Sequence, residues 1–188
     1  RLVLQWMLVP VTWSTNKVDK IIIGGGMSFT FIKAQNGNIG SSMVEEDRIE
    51  TANNIISLAK EKGVELLLPS DAKIASEFSN DADTQITDIR NIPDGWMGLD
   101  IGPNSIAEFK AAIEGSKTIL WNGPMGVFEM SNFETGTKEI ATTIANKTNS
   151  NELYSLIGGG DSVAAINKYQ LADKVSHVST GGGASLQL

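Results

Sequence analysis

Cysteine is absent from the 188 residues and histidine occurs once, as His177. The first absence removes disulfides and thiolate metal sites, and the second removes any centre that needs two imidazoles. No window approaches the roughly 18 consecutive apolar residues of a membrane span. No run of Lys or Arg interrupts a net charge of −7, which argues against nucleic acid, since that binding rests on clustered cations. A small phosphorylated ligand stays open, because backbone N–H groups at a helix N-terminus hold phosphate without side-chain charge. What is present is ordinary for a globular core: 41% apolar and 20% charged residues, in a length that suits one large domain or a piece of a larger protein. Residues 1–13 (RLVLQWMLVPVTW) are apolar behind one Arg. They lack an initiator Met and a small-residue cleavage site, and two Trp interrupt them, so they are not read as a signal peptide.

From residue 18 onward, short apolar runs alternate with helix-like stretches. Ile21-Ile22-Ile23 ends at Gly24-Gly25-Gly26. Residues 44–62 carry Ile49, Ala52, Ile56 and Ala59 on one face, with acids opening and lysines closing a helix that Gly63 ends. Strands are expected at Val64–Leu68, Trp96–Leu99, Thr118–Trp121, Leu153–Ile157 and Val175–Val178. Pro103 starts a helix that ends at Gly115. Ser131 and Glu134 have capping-box spacing for a helix through about Lys147, and another helix starts near Asp161. Residues 79–95 are polar and read as an irregular excursion. The order predicts an α/β fold: a doubly wound, mostly parallel, Rossmann-like sheet in three layers.

Three apolar runs end in glycine triplets: IIIGGGMSFTF at 21–31, LIGGGDSVAA at 156–165 and HVSTGGGASL at 177–186. In open parallel sheets the carboxyl ends of strands are where ligands sit, and glycine lets backbone approach them closely. Tight strand–helix turns explain one triplet better than a ligand does, and three in one sheet much less well. None completes a dinucleotide G-x-G-x-x-G, and no G-x-x-x-x-G-K-[ST] occurs. In GGGDS, Asp161 suits either an N-cap or a Mg²⁺ carried on nucleotide phosphates, and Ser162 with the following N–H groups would face a phosphate. WNGPMGVFE at 121–129 is too polar for a mere turn.

KVDKIIIGGGMSFTF, GVELLLPSD, IPDGWMGLDIGP, WNGPMGVFE, LIGGGDSVAA and SHVSTGGGAS together resemble the phosphoglycerate kinase family in order and spacing, over about residues 17 to 186. The resemblance implies phosphate transfer between 1,3-bisphosphoglycerate and Mg-ADP in glycolysis, in the cytoplasm, by a monomer of two closing domains. It implies adenine walls at Gly25, Gly26, Met43, Gly98 and Leu99; for Met43 and Leu99 core packing is an equal reading of the residues alone. It further implies ribose hydrogen bonds to Glu129, phosphate contacts at Asn122, Gly159, Gly160 and Ser162, and Mg²⁺ at Asp161. Gly181 and Gly182 would open a helix facing the transferred phosphoryl group, the charge-stabilising role in such chemistry.

The family pattern also calls for two lysines before Lys17, and residues 1–16 (RLVLQWMLVPVTWSTN) hold none. Residues 1–16 therefore stand unassigned, and residues 17–188 are expected to form a nucleotide-binding domain incomplete at both ends. The 3-phosphoglycerate site would lie in a domain outside this chain, leaving the chain inactive alone. A non-catalytic adenine-nucleotide module is the alternative.

Overall fold

The computed structural model describes the backbone of residues 2–5 and all of residues 18–179. Among the described residues six parallel strands form the main sheet: β1 (Leu2–Gln5), β2 (Lys20–Ile22), β4 (Glu65–Leu67), β9 (Thr118–Asn122), β10 (Tyr154–Gly158) and β11 (His177–Val178), in the order β11-β10-β9-β1-β2-β4. The chain builds outward from β1 in one direction, then returns to β9 and builds in the other, which is double winding. β1 comes from the apolar start of the chain, which the strand pattern had left unread.

Strand residues alternate between the two faces, as a period of two requires. Ile22, Ile119 and Trp121 enter a core with α3 (Pro103–Glu114), α4 (Thr135–Asn149) and α5 (Gly160–Lys168). Ile21 and Ile23 enter the opposite core, against α1 (Met27–Ala34) and α2 (Ile49–Lys62). Helices thus cover both faces, and the expected three-layer α/β architecture is present. The buried face of α2 is Ala52, Ile55 and Ala59, so the stripe centres one residue away from the expected Ile56, which is partly buried.

Residues 71–101 depart from the expected simple alternation. β5 (Asp71–Ala75), β6 (Thr84–Asp88) and β8 (Met97–Ile101) form a separate antiparallel sheet, and β3 (Asn38–Ile39) pairs with β7 (Asn91–Ile92). The strand expected near residues 96–99 therefore belongs to this second sheet. The polar stretch 79–95 contains β6 and β7, whose side chains are mostly exposed. Helix α1 lies between the two sheets: Phe31 enters the main-sheet core, whereas Phe29 and Ile32 enter the core of the small sheet. A helix buried on several faces shows no amphipathic stripe, which is why residues 27–34 gave no helical signal.

Two buried aspartates join the small sheet to the helix layer. Asp71 accepts from Asn104 N–H at 3.0 Å and Ser105 N–H at 2.8 Å, covering the first turn of α3. Asp100 accepts from Gly136 N–H at 2.9 Å in the first turn of α4. The expected capping box is absent for that reason: the α4 donor is satisfied from a distant strand. Ser131 instead sits in a 3-10 turn hydrogen-bonded to Asn80, and Glu134 precedes the helix without a side-chain cap bond.

Candidate nucleotide site

A cleft of about 660 Å³ opens where the loops after β2, β9 and β10 meet the small sheet. One bank is backbone-rich, formed by residues 24–29, 122–127 and 159–161; the other is apolar, with Met43, Phe78, Met97 and Leu99. Of the residues expected at a site, Gly25, Gly26, Met43, Gly98, Leu99, Asn122, Gly159, Gly160 and Asp161 all line it. Glu129 is exposed beyond the lining, and Ser162 lies beneath it, fully buried. Gly181 and Gly182 fall outside the described residues.

The glycine bank is held by close backbone approach. Gly25 has φ +63°, and a Cβ there would stand 2.6 Å from the Pro124 carbonyl oxygen. Gly159 has φ +83°, and a Cβ there would occupy the space of the Asn122 side-chain oxygen. Any other residue at these two positions is strained twice, by its backbone and by its neighbour. The three loops therefore interlock: 24–26 on 124, and 159 on 122.

Residues 121–130 are fixed almost step by step. The buried Trp121 indole donates to the Gly123 carbonyl at 2.7 Å. Gly123 N–H donates to Ser162 Oγ, so that hydroxyl faces this loop instead of the open cleft. Met125 and Gly126 N–H groups share Thr137 Oγ1, at 3.0 and 3.3 Å. Val127 N–H donates to the Leu99 carbonyl at 2.8 Å, and Lys168 Nζ to the Phe128 carbonyl.

Beneath the loop, the Asp100 carboxylate fills a recess where a Cβ on Gly126 or Gly136 would collide with it. Burial pushes this carboxyl up to about 7, against the lowering by the Gly136 and Ile101 N–H groups and by Lys73. Sequence reasoning passed over Asp100, though an acid between Leu99 and Ile101 in an apolar strand is a readable signal. Phe78 was also missed: its ring is 62% exposed on the cleft, at the tip of a hairpin read as irregular.

Helix α5 begins at Gly160 with Gly159 as its N-cap and no side-chain cap bond. The first N–H groups of a helix have no partner within it and favour anions. Asp161 stands in this first turn, exposed, and its carboxylate makes no hydrogen bond among the described residues; it is not the N-cap. Among the described residues no three His, Cys, Asp or Glu side chains gather as a metal site. Met43 is 72% exposed, which sets aside core packing for that residue, whereas Leu99 packs with Ala75 and Phe133 as well as lining the cleft. Gly98 lies against the Phe29 ring, and its N–H donates to Ser42 Oγ at 2.9 Å.

Fold and cleft together define a doubly wound α/β protein whose glycine loops frame a cleft at the carboxyl edge of its sheet. The sequence profile of the phosphoglycerate kinase family matches residues 11–188. The chain is 56% identical over 172 residues to the phosphoglycerate kinase of Thermosynechococcus vestitus, covering 92% of this chain and 43% of that protein. It is 58% identical over 174 residues to that of a Nostoc species, with the same coverages. Among solved structures, phosphoglycerate kinase from Coxiella burnetii superposes with a TM-score of 0.92 at 38% identity, over 99% of this chain and 49% of that one. That from Pyrococcus horikoshii gives 0.77 at 25% identity, over 98% and 47%. The chain belongs to the phosphoglycerate kinase family. It spans less than half the length of the curated relatives it matches. No helix among the described residues is long and apolar enough to cross a membrane.

Proposed function

We propose that this chain is the nucleotide-binding part of a phosphoglycerate kinase, which transfers phosphate between 1,3-bisphosphoglycerate and Mg-ADP to give 3-phosphoglycerate and ATP. The observation that carries the reading is the convergence of the 24–26, 122–126 and 159–161 loops on one cleft with an uncapped helix start at its end. The base lies between the glycines at 25 and 26 and the apolar bank of Met43, Gly98 and Leu99. Asn122 and the N–H groups of residues 159–161 receive the phosphates. Ser162 sets Gly123 for that contact rather than touching phosphate itself. Glu129 swings to the ribose hydroxyls from its fixed backbone.

One exposed carboxylate beside nucleotide phosphates is the usual protein contribution to a Mg²⁺ site, and Asp161 fits it. When bound, the ion neutralises phosphate charge; the protein's part is placement. Positioning and charge stabilisation are most of the catalysis in phosphoryl transfer. The residues that match cover 43% of a relative's length and supply the nucleotide side, and 3-phosphoglycerate reaches it through another domain. Alone, the chain binds and does not turn over.

Titration calorimetry with ADP tests the binding and the metal role. The chain should bind ADP more tightly with Mg²⁺ than without. Because Asp161 carries no cap, Asp161→Asn should keep the fold and remove the Mg²⁺ enhancement. A variant that keeps the full enhancement takes Asp161 out of the metal role.

A further inference from the structure

Helix α5 touches the 121–134 segment at both of its ends. At its start, Ser162 Oγ receives Gly123 N–H. At its other end, Lys168 Nζ donates to the Phe128 carbonyl and pairs with Glu134 at 2.7 Å. The same ammonium lies 5.9 Å from the Phe128 ring centroid and 5.7 Å from that of Tyr169. The ordinary explanation of a lysine in a last helical turn is the helix dipole and the free terminal carbonyls. Lys168 makes its bonds elsewhere, across to another segment. Both of its partners, Phe128 and Glu134, flank the exposed Glu129.

The far flank of Glu129 is held as well. Asn132 N–H donates to Asn80 Oδ1 at 3.0 Å, and Lys73 Nζ donates to the Asn132 carbonyl at 2.6 Å. Met130 N–H closes a turn on the Val127 carbonyl at 3.0 Å. The backbone of Glu129 is therefore held in a turn between fixed points while its side chain remains in solvent. We infer that Lys168 is the positioning residue for Glu129, and that α5 is a strut setting the ribose acceptor relative to the phosphate-facing helix start. This rests on the nucleotide reading above.

The experiment uses the full chain and two nucleotides, ADP and 2′,3′-dideoxy-ADP. Met in place of Lys168 keeps an apolar stem against the two rings and removes the donor. Lys168→Met should weaken ADP three- to tenfold and leave dideoxy-ADP unchanged. In a Glu129→Ala background it should have no further effect, and Lys168→Arg should recover most of the loss. Equal losses for both nucleotides, or losses that add to those of Glu129→Ala, would overturn the assignment. If the unmodified chain takes up no ADP, the nucleotide reading fails separately. Hydrogen exchange then judges the strut: amides of 127–130 should exchange at least tenfold faster in Lys168→Met with 163–166 unchanged, and equal exchange at 127–130 overturns it.

Discussion

The two banks of the cleft are built on opposite principles. The glycine bank works by backbone: loops 24–26, 122–126 and 159–161 touch one another so closely that side chains are excluded at the contacts. The apolar bank works by side chains, and Met43 and Phe78 stand 72% and 62% exposed with room to move. The first bank fixes positions before any ligand arrives, which suits phosphates and their charge. The second offers adaptable apolar area, which suits a flat aromatic base. A change on the first bank should therefore act through geometry, and a change on the second through contact area.

The sharpest way to break this contrast is Gly25→Val. A β-branched residue at φ +63° with its Cβ 2.6 Å from the Pro124 oxygen meets left-handed strain of roughly 1–2 kcal/mol and overpacking of about 1–3 kcal/mol. Urea unfolding should show a loss on the order of 2–5 kcal/mol, and ADP binding should disappear. Gly63→Val isolates the strain: its φ is +68°, but a Cβ there meets nothing within 4 Å. That control should cost only the strain and leave binding intact. Equal effects at both positions would mean that interlocking of the loops contributes nothing.

Asp100 underlies the glycine bank and should give a pH signature of intermediate size. Its carboxyl is raised from 3.8 to about 7 in the fold, with burial the main cause. Between those values the folded chain binds more protons than the unfolded one, so this group's stabilisation is complete below about pH 4 and lost as pH rises through 7. Between pH 5 and 8 the loss should be about 2–3 kcal/mol. Glu134 is lowered by its hydrogen bond to Lys168, and Glu152 by its bond to Lys147. Those two act with the opposite sign and in more acid solution, outside this window. Urea midpoints for the native chain should fall across it. Asp100→Asn, though less stable at pH 5 through loss of a good acceptor for Gly136 or Ile101, should give a nearly flat profile. Parallel profiles would place the buried proton elsewhere.

What could be read in the sequence followed from local rules. The strands of the main sheet other than β1, the helix from Pro103 and the three ligand-edge loops each announced themselves by apolar runs, a proline or glycines. What escaped was set at long range. Helix α1 is sandwiched between two sheets and so has no polar face, and α4 is capped by Asp100 from 36 residues away in sequence, leaving Ser131 and Glu134 free for other partners. The small sheet was hidden because Thr84–Asp88 is almost wholly exposed and alternates nothing. For the candidate site, the glycine bank was legible and half of the apolar bank was not, since the Phe78 hairpin reaches the cleft only through tertiary folding.

Phe78 gives the smallest expected effect and the finest test of the contrast. Its hairpin is not loose: Asn80, two residues on, accepts Asn132 N–H at its side chain and Asn132 Nδ2 at its carbonyl. The ring is thus presented at the cleft by an anchored backbone while staying 62% exposed. A ring with that exposure contributes little to folding, so Phe78→Ala should shift stability by less than about 0.5 kcal/mol. Contact between an aromatic ring and a stacked base is worth about 0.5–1.5 kcal/mol beyond area, so ADP affinity should fall roughly three- to tenfold. Phe78→Leu, which keeps apolar area without the ring face, should recover part of it. Inorganic pyrophosphate, which lacks a base, should bind both proteins alike. A pyrophosphate loss equal to that for ADP would show that Phe78 supports the backbone bank, and the separation between the two banks would then collapse.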